Sequence, residues 1–235
     1  MKRRIWELDA LRGLCILGMI VVHILYDLRV SGLITSNAIV DLVQEFGSKF
    51  FLLISGICVT LGHRNIRRGI LVFLCGMVCT IVTAGMYFFG MAGKGIIIYF
   101  GVLHCLGACM LLWSLFSRLP TWAIGVLGTV ITVVGLLIIP DLRVDFPWLI
   151  PVGVMFPGFA SSDYFPLLPN LGFFLIGAVL GRTLYRRKVS LLPRVNPQIF
   201  PIRFLAFCGR SSLWIYLLHQ PVITGFLAAV ELFKE

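Results

Sequence analysis

Long apolar stretches constrain the fold of this sequence more than any other feature. They lie at 8–28, 47–62, 69–90, 96–117, 121–139, 166–184 and 211–233, and each approaches the roughly 20 apolar residues that a helix needs to cross a bilayer. Hydrophobic residues make up 59% of the 235 and charged residues only 13%, which is more apolar surface than one soluble core can bury. The sequence therefore predicts an all-α polytopic membrane bundle of about seven transmembrane helices, forming a single integral-membrane domain over 1–235.

The positive charges are concentrated in segments that fall on one side of the predicted membrane. The net charge is +10, with 20 Lys and Arg against 10 Asp and Glu, and in a soluble protein such an excess would favour a nucleic-acid partner. If the N-terminus is cytoplasmic, the basic segments 64–68, 182–188 and 194–203 all fall on the cytoplasmic side, as membrane topology requires. We therefore expect a multi-pass protein of the cytoplasmic (inner) membrane with its N-terminus in, its C-terminus out and no nucleic-acid partner.

The cysteines indicate neither a disulfide framework nor a metal centre. All seven lie in apolar surroundings, where a thiol behaves as a small hydrophobic group. The pairs Cys75/Cys79 and Cys105/Cys109 have i, i+4 spacing, but the sequence offers no convergent partners that would complete a metal site. We expect no bound metal.

The first apolar stretch carries ionisable residues along one helical face. Arg12 and His23 are eleven positions apart, which at about 100° per residue brings them within about 20° of each other and about 16 Å apart along the axis. We call this face the polar stripe; it comprises Asp9, Arg12, Cys15, Met19, His23 and Asp27. Ionisable groups inside a bilayer cost several kcal/mol unless they face protein or water, so the stripe is a candidate functional site. The competing interpretation is that Asp9 and Arg12 reach the headgroups and that His23 bonds a neighbouring helix.

Three further polar residues are predicted at membrane depth or just outside it. His104 lies in the fourth apolar stretch, Asp163 just before the sixth, and His219 in the last, two residues before Pro221. A lone histidine on an apolar helix is more often a hydrogen-bonded core residue than a functional group. Several of them together favour a polar cavity. His63, among arginines, is expected to be solvated.

A second cluster, the arginine turn, consists of Arg64, Arg67 and Arg68 between the second and third apolar stretches. One interpretation is that these charges set the topology and attract anionic lipids. The other is that they dock a phosphate-rich cytoplasmic ligand, because guanidinium groups match phosphate oxygens in pairs.

Several motifs resemble a known family. Arg12 and His23 with ten residues between them, within Leu8-Asp9-Ala10-Leu11-Arg12-Gly13, resemble the first-helix signature of the transmembrane acyltransferase superfamily, which includes acyltransferase-3. Arg64-x-x-Arg67 is similar to its cytoplasmic arginine motif, and 209–219 is similar to its closing helix. The short chain and the motif Ser162-Asp163-Tyr164-Phe165-Pro166-Leu167-Leu168-Pro169 resemble more narrowly the small bacterial members of the heparan-alpha-glucosaminide N-acetyltransferase catalytic-domain family.

The resemblance implies an acetyl-CoA-dependent enzyme that moves an acetyl group from the cytoplasm to an amine or hydroxyl of an extracytoplasmic glycan or glycolipid. The lysosomal enzyme has a large lumenal region and places its catalytic histidine after the first helix. Residues 29–46 here contain no histidine, so the role falls to His23. The acceptor, N- or O-acetylation, and monomer or homodimer stay open.

Acyl-transfer chemistry then suggests a role for each candidate. The catalytic set is His23 as the base, Asp27 or Asp163 to orient it, and His104 as an oxyanion donor. The acetyl-CoA set, which holds the phosphates and the pantetheine, is Arg12, Arg64, Arg67, Arg68 and His219. Direct transfer and an acetyl-histidine intermediate are both compatible with these roles.

Two other classes of protein fit the same polar residues. Histidines on several spans are ligands that b-type haem uses in electron carriers, and such a protein would show a Soret band. The polar stripe is also what a transport path for an anion or a glycolipid would need, and flux would then occur without acetyl transfer.

Overall fold

The structure is a computed structural model that describes residues 5–30 and 38–232, with side chains described for 5–29 and 46–226. Within these ranges the chain forms eight α-helices and no β-strand, which confirms the prediction of an all-α protein. The helices are α1 (Trp6–Val30), α2 (Ala38–Leu61), α3 (Asn65–Phe88), α4 (Val102–Phe116), α5 (Thr121–Leu137), α6 (Leu167–Leu184), α7 (Phe200–Arg210) and α8 (Ser212–Leu232).

Four of the described helices are long and apolar enough to cross a membrane. They are Trp6–Arg29, Asn65–Phe88, Thr121–Asp141 and Leu167–Leu184. Val102–Phe116 is apolar but shorter, and Phe46–Leu61, the part of α2 whose side chains are described, is apolar as well. Large apolar side chains point outward, for example Leu71, Leu74 and Val78 of α3, and such a surface needs lipid around it. The chain is a membrane protein; about seven spans and their orientation stay predictions.

The helices differ from the predicted stretches in three places. Helix α2 begins at Ala38, well before the stretch predicted at 47–62. The fourth apolar stretch, predicted at 96–117, contains a helix only from Val102, because Lys94–Ile96 is a 3₁₀ turn that leads into extended backbone. Helix α7 was not predicted; it begins at Phe200, beside Pro201, within the basic segment 194–203. Proline is favoured in the first turn of a helix, where its missing N–H is not needed.

The chain divides into two compact units, one formed by residues 1–54 and 187–235 and the other by 55–186. In the unit 55–186, α3 packs on α4 and α5 packs on α6. Small residues allow these close approaches: a Cβ on Gly107 would lie 2.7 Å from the Cβ of Phe73, and one on Gly172 would overlap the hydroxyl of Thr132. Such packing is typical of helices in membranes, where backbone proximity and van der Waals contact drive association.

Within the unit 55–186, the ends of α2, α4 and α6 lie close together. A Cβ on Gly181 would overlap the hydroxyl of Thr60, so the last turns of α2 and α6 are neighbours. Arg182 of α6 donates to the carbonyl oxygens of Ser117 and Leu119, which bring the end of α4 to the same place. The arginine turn, the α4–α5 turn and the end of α6 therefore share one end of this unit.

In the unit formed by 1–54 and 187–235, α1 crosses α7 at two glycines. A Cβ on Gly13 would overlap the carbonyl oxygen of Leu205, and a Cβ on Gly209 would overlap that of Asp9. Only hydrogen at both positions permits this backbone contact. Helix α8 then runs beside α1, which positions the polar stripe.

Candidate active site

The polar stripe of α1 faces the protein. Its members, Asp9, Arg12, Cys15, Met19, His23 and Asp27, are all partly buried. The large apolar residues Leu14, Val21 and Ile24 of the same helix are exposed. The helical face predicted from the residue spacing is therefore the face that α1 turns inward, as the cost of lipid-facing charge requires.

Arg12 is anchored at the start of α8. Its Nη2 donates to the hydroxyl of Ser212 at 2.9 Å, and its guanidinium lies over the ring of Phe51, 5.9 Å from the centroid. The Nε atom is buried and has no hydrogen-bond partner within the described residues. A guanidinium carries five donor hydrogens, so Arg12 keeps donor capacity for an anionic group.

His23 and His219 form a histidine pair across α1 and α8. Their ring centroids are 4.8 Å apart and their planes are inclined by 56°. The Nδ1 of His219 bonds the carbonyl oxygen of Tyr216; because a carbonyl only accepts, Nδ1 carries the hydrogen and the neutral ring keeps its lone pair on Nε2. Fixing one ring nitrogen in this way is how proteins select a histidine tautomer.

A carboxylate and an amide lie close in sequence to the two histidines. Asp27 follows His23 by one turn of α1, and Gln220 follows His219. The Nε2 of Gln220 donates to Oδ2 of Asp27 at 3.3 Å, while its Oε1 is buried without a hydrogen-bond partner among the described residues. The contact between α1 and α8 thus brings together two imidazoles, a carboxylate and an amide.

His104 belongs to the other unit and is fully enclosed there. It is 2% exposed and packs between the rings of Phe73 and Phe100. Its Nδ1 accepts from the N–H of Gly101 at 3.2 Å, and its Nε2 lies 3.4 Å from the hydroxyl of Thr80. Because Thr80 donates its single hydrogen to Ile98, Nε2–H of His104 is the donor to Thr80. Both nitrogens are used by the protein, and the proposed oxyanion role stays a prediction.

Asp163 lies in the same unit, at the N-terminus of α4. Its Oδ2 accepts from the N–H of Val102 at 3.1 Å, and the next residues tie the loop down. Tyr164 donates to the carbonyl oxygen of Ile150, and Phe165 donates its N–H to Phe100. Burial raises the pKa of Tyr164 to about 12, so its phenol stays a donor at neutral pH. The Asp-Tyr-Phe-Pro motif fastens the start of α4, and a role for Asp163 beside His23 stays a prediction.

The arginine turn is exposed to solvent at Arg64, Arg67 and Arg68. The side chain of Asn65 closes this turn by donating to the carbonyl oxygen of Val59 at 2.8 Å. Arg182 at the same end is different, because it bonds two carbonyls and lies over the ring of Trp113. The exposed guanidinium groups of the turn suit phosphate, whereas Arg182 fastens helix ends together.

The described residues contain no group of three or more His, Cys, Asp or Glu that could hold a metal ion. Around the polar stripe and the arginine turn, five contributors were not identified from the sequence: Phe51, Asn65, Ser212, Tyr216 and Gln220. Of these residues, Gln220 could most easily have been identified from the sequence, because a polar amide beside a histidine in an apolar stretch is itself a costly feature. The others depend on contacts that only the folded chain reveals.

A family profile described as heparan-alpha-glucosaminide N-acetyltransferase, catalytic, matches residues 4–221. The chain belongs to this family. The resemblance noted from the motifs is thereby confirmed, and the match to the heparan-alpha-glucosaminide N-acetyltransferase catalytic domain extends from the start of α1 to Pro221, so it includes both histidines of the pair. Comparisons with curated proteins and with solved structures find no match. Membership identifies the chain as a membrane protein of an N-acetyltransferase family.

Proposed function

We propose that this protein transfers an acetyl group from cytoplasmic acetyl-CoA to an amine or hydroxyl of an extracytoplasmic glycan or glycolipid. The observation that carries the proposal is the histidine pair of α1 and α8, held beside Asp27 and Gln220 within the region that matches the acetyltransferase family. A titratable cluster inside a membrane helix pair is costly unless it is used.

The proposed topology is about seven spans in the cytoplasmic membrane, with the N-terminus inside. Charge distribution supports it. The end of the unit 55–186 that holds the arginine turn also exposes Arg118 and Arg186, and residues 61–70, 116–122 and 180–186 there contain no Asp or Glu. Asp141, Asp145 and Asp163 lie in the loops that connect the opposite helix ends.

Transfer needs a base for the acceptor and an orienting group for that base. In the proposed reaction the imidazole of His23 takes the proton from the acceptor N–H or O–H while the acceptor atom attacks the thioester carbonyl carbon. The C–S bond breaks, and the CoA thiolate leaves with the proton that the imidazolium returns. Asp27 orients His23, and Gln220 positions Asp27 through its amide hydrogen bond. Incubation with labelled acetyl-CoA but no acceptor distinguishes an acetyl-histidine intermediate, which would label the protein, from direct transfer.

The structure suggests a role for His219 that differs from the one suggested by the sequence. It was assigned to acetyl-CoA binding, but its ring lies against His23, and its Nδ1 is fixed by Tyr216. We therefore propose His219 as a positioning residue for the proton-transfer step. Its fixed tautomer presents Nε2 as the nitrogen that can share a proton.

Two groups of arginines are proposed to bind the donor. Arg12, with donor capacity left on a buried guanidinium, is proposed to hold the pantetheine or a phosphate. Arg64, Arg67 and Arg68 are proposed to hold the nucleotide phosphates, since arginine forks pair with phosphate oxygens.

The decisive experiment is acetyl transfer by the purified protein in proteoliposomes. Labelled acetyl-CoA is supplied with a panel of amino- and hydroxyl-bearing glycans and glycolipids, and both CoA thiol release and acceptor labelling are measured. Release of thiol in step with acceptor labelling supports the proposal. Flux of an anion or glycolipid without acetyl-CoA consumption would instead favour the transport path for which the polar stripe of α1 is the structural argument.

Loss of two arginines of the turn is expected to weaken donor binding. Arg64→Gln with Arg67→Gln should raise KM for acetyl-CoA about 10-fold, the change that corresponds to losing roughly one charge-assisted contact, with little change in kcat. Arg118→Gln, an exposed arginine at the same end of the unit, serves as the control and should leave KM within about twofold. A variant whose acceptor KM alone changed would contradict donor binding at the turn.

A further inference from the structure

Helix α7 exposes an aromatic face that is unsuited to water. Phe200, Phe204 and Phe207 are 78%, 47% and 57% exposed. At about 100° per residue they fall within about 60° of one another, and the rings of Phe200 and Phe204 stack 6.3 Å apart. The opposite side of α7, with Ala206 and Gly209, is buried. The helix therefore turns its phenylalanines away from the protein.

Two arginines border this aromatic face. Arg203 and Arg210 are exposed and lie about 20° apart around the axis and about 10 Å apart along it, on one flank of the phenylalanines. Together with Phe200, Phe204 and Phe207 they line a shallow groove of about 420 Å³. The helix sequence contains no Asp or Glu. We call these five residues the Phe/Arg face.

The chain on both sides of α7 carries apolar residues as well. The segment before α7 exposes Val189, Leu191, Leu192 and Ile199, and α7 is followed directly by the apolar helix α8. Because α7 packs on the membrane-crossing helix α1 and only Ser211 separates it from α8, its outward apolar face meets lipid, and basic residues beside such a face attract anionic headgroups.

We propose that the Phe/Arg face of α7 binds anionic phospholipid. The phenylalanines sit among the acyl chains, and the guanidinium groups of Arg203 and Arg210 pair with lipid phosphates. Charge complementarity selects an anionic headgroup over a zwitterionic one, and the aromatic surface requires acyl chains, which CoA lacks. This lipid site is independent of the acetyltransferase proposal.

The test measures lipid binding by the full chain in a neutral detergent. Native mass spectrometry and thermal unfolding are recorded with added phosphatidylglycerol or phosphatidylcholine. Phosphatidylglycerol should bind and raise Tm more than phosphatidylcholine. Arg203→Gln with Arg210→Gln should weaken phosphatidylglycerol binding about 30-fold. Arg187→Gln with Arg194→Gln removes the same charge from exposed arginines of the preceding loop and should change it less than threefold.

Three outcomes would overturn the lipid site: equal weakening in both double variants, no preference for phosphatidylglycerol, or displacement of phosphatidylglycerol by CoA. The last would assign the two arginines to the donor instead. If the Arg203/Arg210 double variant does not fold, the single variants Arg203→Gln and Arg210→Gln replace it. Each should weaken phosphatidylglycerol binding about fivefold relative to Arg194→Gln, and no weakening in either would also overturn the proposal.

Discussion

His23→Ala is expected to abolish acetyl transfer from labelled acetyl-CoA in proteoliposomes while the protein stays folded. In the proposed mechanism His23 takes the acceptor proton, and general-base catalysis by a positioned side chain is worth about 10²- to 10⁴-fold in rate. We expect kcat to fall by at least about 10²-fold, with KM for acetyl-CoA within about threefold of the wild type because the arginines that bind the donor are unchanged. Normal turnover by this variant would remove His23 from the mechanism.

Two further histidine variants sharpen this result. His63→Ala changes an exposed histidine beside the arginine turn and should leave kcat unchanged. His219→Ala should lower kcat, and the double variant His23→Ala with His219→Ala should be no slower than His23→Ala alone, because residues that act as one unit have non-additive effects. Fully additive losses would mean that the two rings, although 4.8 Å apart, act independently.

Gly13→Ala is expected to destabilise the fold strongly, and Gly18→Ala is not. The new Cβ at position 13 would overlap the carbonyl oxygen of Leu205, a backbone atom of α7 that can yield only if the helices separate, whereas a Cβ at Gly18 meets nothing within 4 Å. Forced overpacking of this kind costs about 1–3 kcal/mol of unfolding free energy or more. At Gly18 the gain in helix propensity is worth up to about 1 kcal/mol, so that variant should be neutral or slightly more stable.

Thermal unfolding in detergent, followed with a thiol-reactive dye, measures this difference. Cys105, Cys109 and Cys208 are buried and reduced, so the dye reacts with them when the structure opens. Gly209→Ala, which meets the carbonyl oxygen of Asp9 from the other side of the crossing, should reproduce the loss seen for Gly13→Ala. Equal Tm values for the Gly13 and Gly18 variants would show that α1 and α7 do not touch at Gly13.

Much of the helical architecture was accessible from the sequence because hydropathy is a local property. The stretches 8–28 and 166–184 correspond closely to α1 and α6, and the inward face of α1 followed from spacing alone. Helix α7 was missed for a physical reason: it is 11 residues long, begins beside a proline and mixes phenylalanine with arginine. A search for membrane-length apolar runs does not detect such a helix.

The candidate site was harder to predict from the sequence than the helices were. A histidine in an apolar helix looks the same in sequence whether it is satisfied or available. His104 is satisfied by Gly101 and by Thr80, which lies 24 residues earlier, while His219 meets His23 across almost the whole chain length. The roles of His219 and of the arginine turn stay predictions that the variants above test, and those of His104 and Asp163 also stay predictions.

The sequence by itself determined that this chain is an all-helical membrane protein of the acetyltransferase family, because the cost of exposing apolar side chains to water, the helical period and the spacing of motifs are written into consecutive residues. Only the tertiary structure decided which polar groups meet: Arg12 with Ser212, His23 with His219, Asp27 with Gln220. Those contacts depend on how closely helices distant in sequence can approach, and at Gly13 and Gly209 that approach is set by the absence of a single carbon atom.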